Sequence, residues 1–368
     1  MIVKYYNINK DYFRVQKSFL KKIDKLGVKG NFILGNSVSK FENILKRLLK
    51  VKYVIGVANG SDAIEIALLA AGVKKNQEII TTSNTFVSTA NSIVNVGAKP
   101  VFCDVDNTFN INPEEIEKLI TKKTFGIIPV HLNGLPACMH KIKKLGKKYN
   151  LKIIEDAAQS ILTTYNSKFT GTIGEIGCFS MHPTKNLGLA GDGGFITTNN
   201  KFFYNKMIRI RNHGLEKNQD VKIIGRNSRL DNIQSEYAML RLKFLHQDTK
   251  LRQKIASIYD DKLKNFVETP DLGCCRKNQH TYHRYVIRSK KRDDLFNFLR
   301  KQKIDVKIHY PRNIHEQKAF KQYIKNNQSL KNTQILSKQM ISLPCNHFMT
   351  KKEIDHVITS IKLFFEKN

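Results

Sequence analysis

Short apolar segments alternate with helix-like segments along the first half of the chain, and this alternation restricts the possible folds more than any other feature. The strand-like segments are residues 51–57, 78–82, 99–105, 125–130 and 151–155. The helix-like segments between them are residues 61–70 and 87–96, one that opens at Pro113, and residues 138–149. Strands that alternate with helices are typical of a mainly parallel sheet. The sequence therefore predicts an α/β fold.

The rest of the chain predicts a second, smaller unit. A helix at residues 231–245 is expected to lead out of the large unit, and the smaller unit is expected to have helices at residues 292–302 and 351–365 and strands at residues 281–287 and 306–309. A chain of 368 residues is long enough for two domains. We expect a large domain of residues 1–245, which includes an N-terminal arm, and a small C-terminal α/β domain of residues 246–368.

The chain carries an excess of positive charge, with 63 Lys and Arg against 31 Asp and Glu and a formal net charge of +32. One interpretation is an anionic partner, such as nucleic acid, a membrane surface or a nucleotide diphosphate. The other is a composition bias, since Lys, Asn and Ile are all abundant. No segment combines a basic stripe with stacking aromatic residues or a nucleic-acid-binding motif. The sequence favours composition bias and predicts no nucleic-acid partner.

Apolar runs and cysteines predict the compartment. No apolar run approaches the roughly 18 to 20 residues that span a bilayer, so we expect no membrane association. The N-terminus lacks the apolar core and cleavage site of a signal peptide. Six cysteines are scattered, none in a C-x-x-C pair or near a histidine at zinc-ligand spacing. We therefore expect a reducing, cytoplasmic location and no metal site.

One lysine and one aspartate carry the chemistry. The apolar run 151–154 leads into Glu155 and Asp156, and some thirty residues later Lys185 lies in a segment interrupted by proline and glycine. A pyridoxal phosphate (PLP) site needs this pair, because a lysine binds the cofactor aldehyde and a carboxylate pairs with the protonated pyridine nitrogen. In a strand, the side chain of Glu155 should point away from that of Asp156. Alone, the pair is a weak signal, and Asp156 equally fits a helix cap.

Ten segments match a known family in order and at similar spacing: residues 31–35, 56–63, 85–89, 97–102, 128–131, 154–159, 178–194, 211–214, 227–231 and 308–311. Through them the sequence resembles the DegT/DnrJ/EryC1/StrS sugar aminotransferases, which are PLP enzymes of the aspartate aminotransferase (type I) fold. The resemblance implies that fold, with a large PLP-binding domain and a smaller C-terminal domain. It also implies that Lys185 binds the cofactor covalently and shuttles a proton, while Asp156 holds the pyridine nitrogen.

The resemblance assigns further cofactor contacts. It implies that Gln159 lies beside the cofactor oxygen and that Phe86 stacks on the pyridine ring, although without its flanking residues Phe86 would read as a core residue. The remaining implied contacts, all to the phosphate, are Gly60, Ser61, Asp62, Ser180 and Asn227. The first three stand at a strand-to-helix turn, where a plain helix cap is the alternative for Ser61.

Asn227 has a special position in the resemblance, because in the family the matching asparagine reaches the phosphate of the neighbouring subunit. The implied assembly is a homodimer with shared active sites. The resemblance also places His309, Tyr310, His315 and Gln317 in a loop near the sugar nucleotide, although an ordinary polar surface loop fits each of them equally well. Arg226 and the pair 189–190 depart from the family pattern, which leaves the substrate open.

The implied activity is amination of a keto group on a nucleotide-linked hexose, in amino-sugar and surface-polysaccharide biosynthesis, with glutamate as donor. One alternative is an aminotransferase on free, phosphorylated or acidic keto sugars. A PLP-dependent sugar dehydratase is a second, but in those relatives the lysine that matches Lys185 is replaced. A basic nucleic-acid-binding protein on the same fold is a distant third.

Overall fold

The computed structural model describes residues 1–216, 218–275, 279–324 and 329–367. The strands are β1 Tyr53–Val57, β2 Glu78–Thr82, β3 Lys99–Cys103, β4 Thr124–Ile128, β5 Lys152–Asp156, β6 Thr164–Tyr165, β7 Lys168–Phe169, β8 Ile176–Ser180, β9 Gly194–Thr198, β10 Tyr285–Arg288 and β11 Met340–Leu343. The helices are α1 Ile8–Lys29, α2 Asn36–Leu49, α3 Gly60–Ala71, α4 Ser88–Asn95, α5 Pro113–Ile116, α6 Met139–Lys148, α7 Lys201–Arg211, α8 Asn232–Leu242, α9 Leu245–Leu263, α10 Arg292–Lys301, α11 Lys331–Gln339 and α12 Lys351–Glu366.

The central sheet has the strand order β1-β9-β8-β5-β4-β2-β3 in the described part of the chain. Neighbouring strands from β8 to β3 pair in parallel, whereas β9 runs antiparallel to both β8 and β1. The expected α/β fold with a mainly parallel sheet is therefore confirmed. In such a sheet the carboxyl ends of β1, β2, β5 and β8 open on one edge, which is where ligands of α/β sheets bind.

Helix α3 shows how the sequence builds this edge. The Asn59 side chain accepts a hydrogen bond from the Asp62 backbone N–H at 2.8 Å, which caps the helix immediately after β1. The run 63–68 is buried, because the helix packs against the sheet and not against solvent. Gly72 ends the helix in the left-handed region at φ 91°. The amino end of α3 is therefore fixed at the ligand-binding edge of the sheet.

The C-terminal part of the chain has its own apolar cluster. Tyr259, Tyr285, Leu295, Ile341 and Ile361 meet there on helices α9, α10 and α12 and the antiparallel pair β10–β11. The predicted strand at residues 306–309 is wrong, because the structure forms only an isolated bridge there, between Lys307 and Ser342. The expected boundary after residue 245 falls at the first residue of α9.

The N-terminal arm forms a helix, which was not predicted. Helix α1 packs on α8, and the rings of Phe19 and Tyr237 meet edge to face with centroids 4.9 Å apart. The apolar residues Tyr12, Val15, Phe19, Ile23 and Leu26 recur at helical spacing, so the sequence does carry a signal for this helix. None of the helices in the described ranges combines the length and the apolar composition needed to cross a bilayer.

Candidate active site

A cavity of about 330 Å³ opens at the carboxyl edge of the sheet. Its walls come from the amino end of α3, the segment after β2, the ends of β5 and β8, the β8–β9 loop, and two C-terminal segments. The residues predicted for the site that line it are Gly60, Ser61, Phe86, Asp156, Gln159, Ser180, Lys185, His309 and Tyr310. Pockets of this size suit small cofactors and substrates. Residues far apart in sequence thus meet in one cavity.

Lys185 stands in a loop whose conformation is fixed at several points. The Lys185 N–H donates to the His182 carbonyl at 2.8 Å, and the Met181 N–H donates to the Gly193 carbonyl at 2.7 Å. A Cβ at Gly188 would collide with the Pro183 carbonyl, so only glycine permits this turn. Burial, and secondarily the Arg284 guanidinium, lower the pKa of Lys185 to about 7, against an opposing effect of Asp156. The Lys185 amine is therefore neutral in about half of the molecules near pH 7, unlike an ordinary lysine.

Asp156 lies at the end of β5 and is buried. Its Oδ2 accepts a hydrogen bond from the Thr89 hydroxyl at 2.7 Å, and its Oδ1 accepts from the Ala158 N–H at 3.1 Å. No cation of the described residues lies at salt-bridge distance from Asp156, and a buried carboxylate of this kind suits a positively charged ligand group. Thr89 holds this carboxylate, and the sequence did not indicate this contact, because it depends on where α4 lies relative to the end of β5.

Glu155 points away from the cavity, as the strand alternation predicted. It is fully buried and accepts hydrogen bonds from the N–H groups of Gly171, Ile173 and Gly174 at 2.6–2.8 Å. His131 Nε2 lies 2.8 Å from Glu155 Oε2. Glu155 therefore stabilises the loop after β7, and of the two adjacent acids Asp156 is the one that lines the cavity.

Hydroxyls and backbone N–H groups gather at the amino end of α3. Ser61 Oγ is in hydrogen-bond contact with Ser88 Oγ, and both side chains line the cavity. A Cβ at Gly60 would lie 2.7 Å from the Ser180 Cβ, so the glycine lets the helix end approach β8. Helix N-termini with such donors bind phosphate groups. The Asp62 side chain does not line the cavity. Its backbone N–H is the donor that bonds the capping Asn59 side chain.

The ring of Phe86 is exposed in the cavity wall. Its exposed fraction is 55%, and its centroid lies 5.9 Å from that of Tyr310, with the rings tilted by 43°. The alternative of an ordinary core phenylalanine is therefore wrong. An aromatic face open to a cavity can stack on a planar ligand, which contributes about 0.5–1.5 kcal/mol beyond burial.

Gln159 is buried between the cavity and the segment after β4. Its Oε1 accepts from the Asn133 N–H at 2.9 Å, and its Nε2 lies 3.5 Å from the Tyr310 hydroxyl.

His309 Nδ1 lies 2.9 Å from Ser342 Oγ, and burial lowers the pKa of His309 to about 2, assisted by Arg284 and Lys185. His309 is therefore neutral and cannot donate a proton at physiological pH.

Four predicted residues are not brought to this cavity in the described part of the chain. Asp62 lies in the first turn of α3, outside the cavity lining. His315 Nδ1 lies 2.6 Å from Ser83 Oγ, and Gln317 connects two short 3-10 turns. Asn227 is exposed and pairs with Asn212 in an isolated bridge. For Asn227 this position agrees with a role toward a partner subunit, which stays a prediction.

Arg284 is a cavity residue that the sequence did not single out. It is buried, with 6% of its surface exposed, and its Nη2 donates to the Tyr310 hydroxyl at 3.1 Å. Its Nε and Nη1 have no hydrogen-bond partner among the described residues. A buried guanidinium with unpartnered donors is unfavourable unless an anionic ligand joins it. Arg284 follows the buried His283 in the segment that enters β10. In the sequence, two polar residues at the start of a strand indicate solvent-exposed positions.

The residues of the cavity fit PLP. A lysine of lowered pKa suits the aldehyde, a buried carboxylate suits the protonated pyridine nitrogen, and an open aromatic face suits the ring. The amino end of α3 with its serine hydroxyls suits the phosphate. Together with a sheet in which only β9 is reversed within the described ranges, this arrangement is that of the type I fold of PLP-dependent aminotransferases.

Comparison with known proteins gives the family. The model of the DegT/DnrJ/EryC1/StrS aminotransferase family matches residues 14–362, so the chain belongs to that family. This confirms the resemblance seen in the sequence, and the protein is an aminotransferase.

Three relatives represent the curated proteins. A pleiotropic regulatory protein of Geobacillus stearothermophilus is 39% identical over 99% of both chains. The dTDP-3-amino-3,6-dideoxy-alpha-D-galactopyranose transaminase of Aneurinibacillus thermoaerophilus is 34% identical over 99% of both chains. The 3-oxo-glucose-6-phosphate:glutamate aminotransferase of Bacillus subtilis is 33% identical over 90% of this chain and 76% of its own length.

Solved structures show the same architecture. A DegT DnrJ EryC1 StrS aminotransferase from Brucella abortus superimposes with a TM-score of 0.94 at 33% identity, over 98% of this chain and 99% of its own. NtdA from Bacillus subtilis, with bound cofactor PMP, has a TM-score of 0.92 at 30% identity, over 99% of this chain and 85% of its own.

Proposed function

We propose that this protein transfers an amino group from glutamate to a keto group of a nucleotide-linked hexose, with PLP as its cofactor. The observation that carries the proposal is that Lys185, whose pKa is lowered to about 7, and the buried Asp156 line one cavity. The other walls of this cavity suit a phosphate and an aromatic ring. Support for the substrate class comes from the dTDP-sugar transaminase that is similar along 99% of both chains.

The residues that line the cavity indicate which of them would hold each part of the cofactor. Lys185 would hold the aldehyde carbon, Asp156 the pyridine nitrogen, and Phe86 one face of the ring. Ser61 and Ser180, with the amino end of α3, would hold the phosphate. PLP, when bound, supplies an electron sink that lets an amino group be exchanged for a keto oxygen.

Lys185 also has a task in proton transfer. Its pKa of about 7 lets the Nζ amine take a proton from the donor carbon that carries the nitrogen, and return one to the acceptor carbon. A catalytic group of pKa near the working pH is efficient in both directions. The Thr89 hydroxyl and the Ala158 N–H hold the Asp156 carboxyl group in position for the pyridine nitrogen.

Arg284 would bind the donor. Glutamate presents carboxylates, and the open Nε and Nη1 donors of the guanidinium, which point to different sides, can each donate a hydrogen bond to a carboxylate oxygen. The name of the Bacillus subtilis relative includes glutamate, which supports this donor. Tyr310 orients Arg284 through its hydroxyl at 3.1 Å and so ties the donor site to the wall formed with Phe86.

The assembly we propose is a cytoplasmic homodimer with shared active sites, in which each chain divides into domains at residues 245 and 246. Asn227 would serve the phosphate of the partner. Two apolar side chains shortly before it, Val221 and Ile224, are 54% and 90% exposed in the single chain, which a subunit interface would cover. The apolar cluster of the C-terminal helices supports the domain division.

A phosphorylated keto sugar is the second candidate substrate, because one relative is named for 3-oxo-glucose 6-phosphate. The deciding experiment incubates PLP-loaded protein and glutamate with UDP-, dTDP- and GDP-linked keto hexoses and with 3-oxo-glucose 6-phosphate. We expect 2-oxoglutarate together with an amino sugar, identified by NMR, from a nucleotide-linked substrate. Turnover of the sugar phosphate alone would favour the second candidate. Protein that binds no PLP would contradict both.

The matched control is Lys185→Ala, which should fold but produce no 2-oxoglutarate. A second control, Lys201→Ala at the start of α7, removes an exposed lysine outside the cavity and should keep full activity. Equal activity in both variants would contradict the assigned role of Lys185.

A further inference from the structure

Two thiols and an imidazole meet outside the active-site cavity. Cys138 precedes α6, His140 is in its first turn, and Cys274 lies in the 3-10 turn Gly273–Cys275, about 130 residues further along the chain. One ligand atom from each of the three residues lies within 4.8 Å of the others. The sequence predicted no metal site, because no cysteine pair has zinc-ligand spacing and only folding brings Cys274 to α6.

The spacing of these atoms matches a tetrahedral metal site. Zinc binds thiolate sulfur at about 2.3 Å and imidazole nitrogen at about 2.0–2.1 Å, so a sulfur and a nitrogen on one zinc ion lie about 3.6 Å apart. Cys138 Sγ and His140 Nδ1 are 3.6 Å apart. Thiol and imidazole ligands also favour zinc over magnesium or calcium, which take oxygen ligands.

We propose that Cys138, His140 and Cys274 bind a zinc ion that joins the turn at Cys274 to the start of α6. Cys138 is buried, whereas His140 and Cys274 are exposed, so an ion can enter from solvent. Tyr165 lies against the same group, with its ring stacked on that of His140 and its hydroxyl in contact with His140 Nδ1. Zinc would replace that hydroxyl contact on the nitrogen, and water or the phenol oxygen completes the fourth position.

The zinc ion would stabilise the fold and would not contact the reacting atoms. Shortly after the turn, Gln279 is joined to β6, where its N–H donates to Thr164 Oγ1 at 3.2 Å and its carbonyl accepts from the Thr164 N–H at 3.3 Å. The same segment continues into Arg284 of the active-site cavity. A zinc ion at Cys274 would add a further attachment of this segment to the large sheet domain. Removal of the zinc should therefore lower the thermal unfolding temperature of the holoenzyme and leave its turnover at temperatures below unfolding nearly unchanged.

The test uses PLP-loaded enzyme purified under reducing conditions, stripped with a chelator and dialysed. Zinc is then titrated against a chromogenic chelator, and Co²⁺ is used as a spectroscopic substitute. We expect about one zinc per chain, thiolate-to-cobalt charge-transfer absorption, and a rise in unfolding temperature on adding zinc. The variants Cys138→Ser, His140→Gln and Cys274→Ser should each weaken zinc binding at least about tenfold.

The matched control is Cys345→Ala, which removes a buried thiol that belongs to the apolar cluster of the C-terminal helices and should leave zinc binding unchanged. Absence of zinc binding in the wild type would overturn the proposal. So would unchanged affinity in Cys274→Ser, or a thiol count and mass showing that Cys138 and Cys274 form a disulfide in the reduced preparation. Loss of binding only in Cys275→Ser would also overturn this set of ligands.

Discussion

Removing the charge of Arg284 should weaken the reaction with glutamate selectively. Arg284 is buried, and its Nε and Nη1 have no partner among the described residues, so a bound carboxylate would accept a hydrogen bond from one of these open donors. A hydrogen bond to a charged group contributes about 1.5–3 kcal/mol, and about 1.4 kcal/mol corresponds to a factor of ten. In Arg284→Gln, kcat/KM for glutamate should therefore fall about 10- to 150-fold.

The same substitution should not unfold the protein. A glutamine removes a buried charge that has no carboxylate within salt-bridge distance among the described residues, so the unfolding temperature should stay equal or rise. It should also raise the pKa of Lys185, because the guanidinium is the second cause that lowers it to about 7. The acidic limb of the pH profile for glutamate should then move to higher pH.

The assay measures 2-oxoglutarate formed over a range of glutamate concentrations and pH, with circular dichroism melting as the folding check. Arg288→Gln is the matched control, because Arg288 lies at the end of β10, the strand that follows Arg284, and pairs with the exposed Glu268 at 2.5 Å, outside the cavity. It should leave kcat/KM for glutamate unchanged. A change below twofold in Arg284→Gln, with the fold intact, would refute a donor-binding role for Arg284.

Three further predictions concern the cofactor residues. Asp156→Asn should lose activity by several orders of magnitude while still binding PLP, because the pyridine nitrogen loses its anionic partner; near-normal turnover would mean that another acid serves this nitrogen. Mixing Lys185→Ala subunits with Asn227→Asp subunits should restore activity to at most about half per dimer, because one site then carries both lesions; an inactive mixture with proven subunit exchange would place Asn227 in its own subunit's site. Because burial lowers the pKa of Lys185 from 10.5 to about 7, the amine is protonated below that pH, so the rate at which apoenzyme captures PLP should rise up to about pH 7 and level off above it; a rate still rising steeply at pH 9 would contradict the lowered pKa.

Local sequence was sufficient for the parts of the site that depend on one strand and its loop. Asp156 follows an apolar run, and a residue at the carboxyl end of a parallel strand must face the ligand-binding edge. Lys185 stands in a loop that its proline and glycines constrain, and Gly60 and Ser61 follow a strand and open a helix. These positions depend on alternation, capping and turn chemistry, which act between near neighbours.

Contacts between distant segments required the tertiary structure. Arg284 enters the cavity, and Thr89 reaches Asp156, only because β10 and α4 pack where they do. His315 was predicted near the substrate, but its hydrogen bond to Ser83 holds it outside the cavity. A loop residue's direction depends on such packing, and sequence spacing does not encode it.

The sequence by itself determined the sheet class and the family, and it singled out the lysine and the carboxylate that meet in the cavity, because each depends on short-range patterns or on ordered matches along the chain. Tertiary structure alone decided which side chains line one cavity or cluster. Among the described residues it left Arg284 buried without a carboxylate partner, and it brought Cys274 to Cys138 and His140. Burial and long-range proximity change the charge state and binding capacity of a side chain, and neither is a property of its neighbours in sequence.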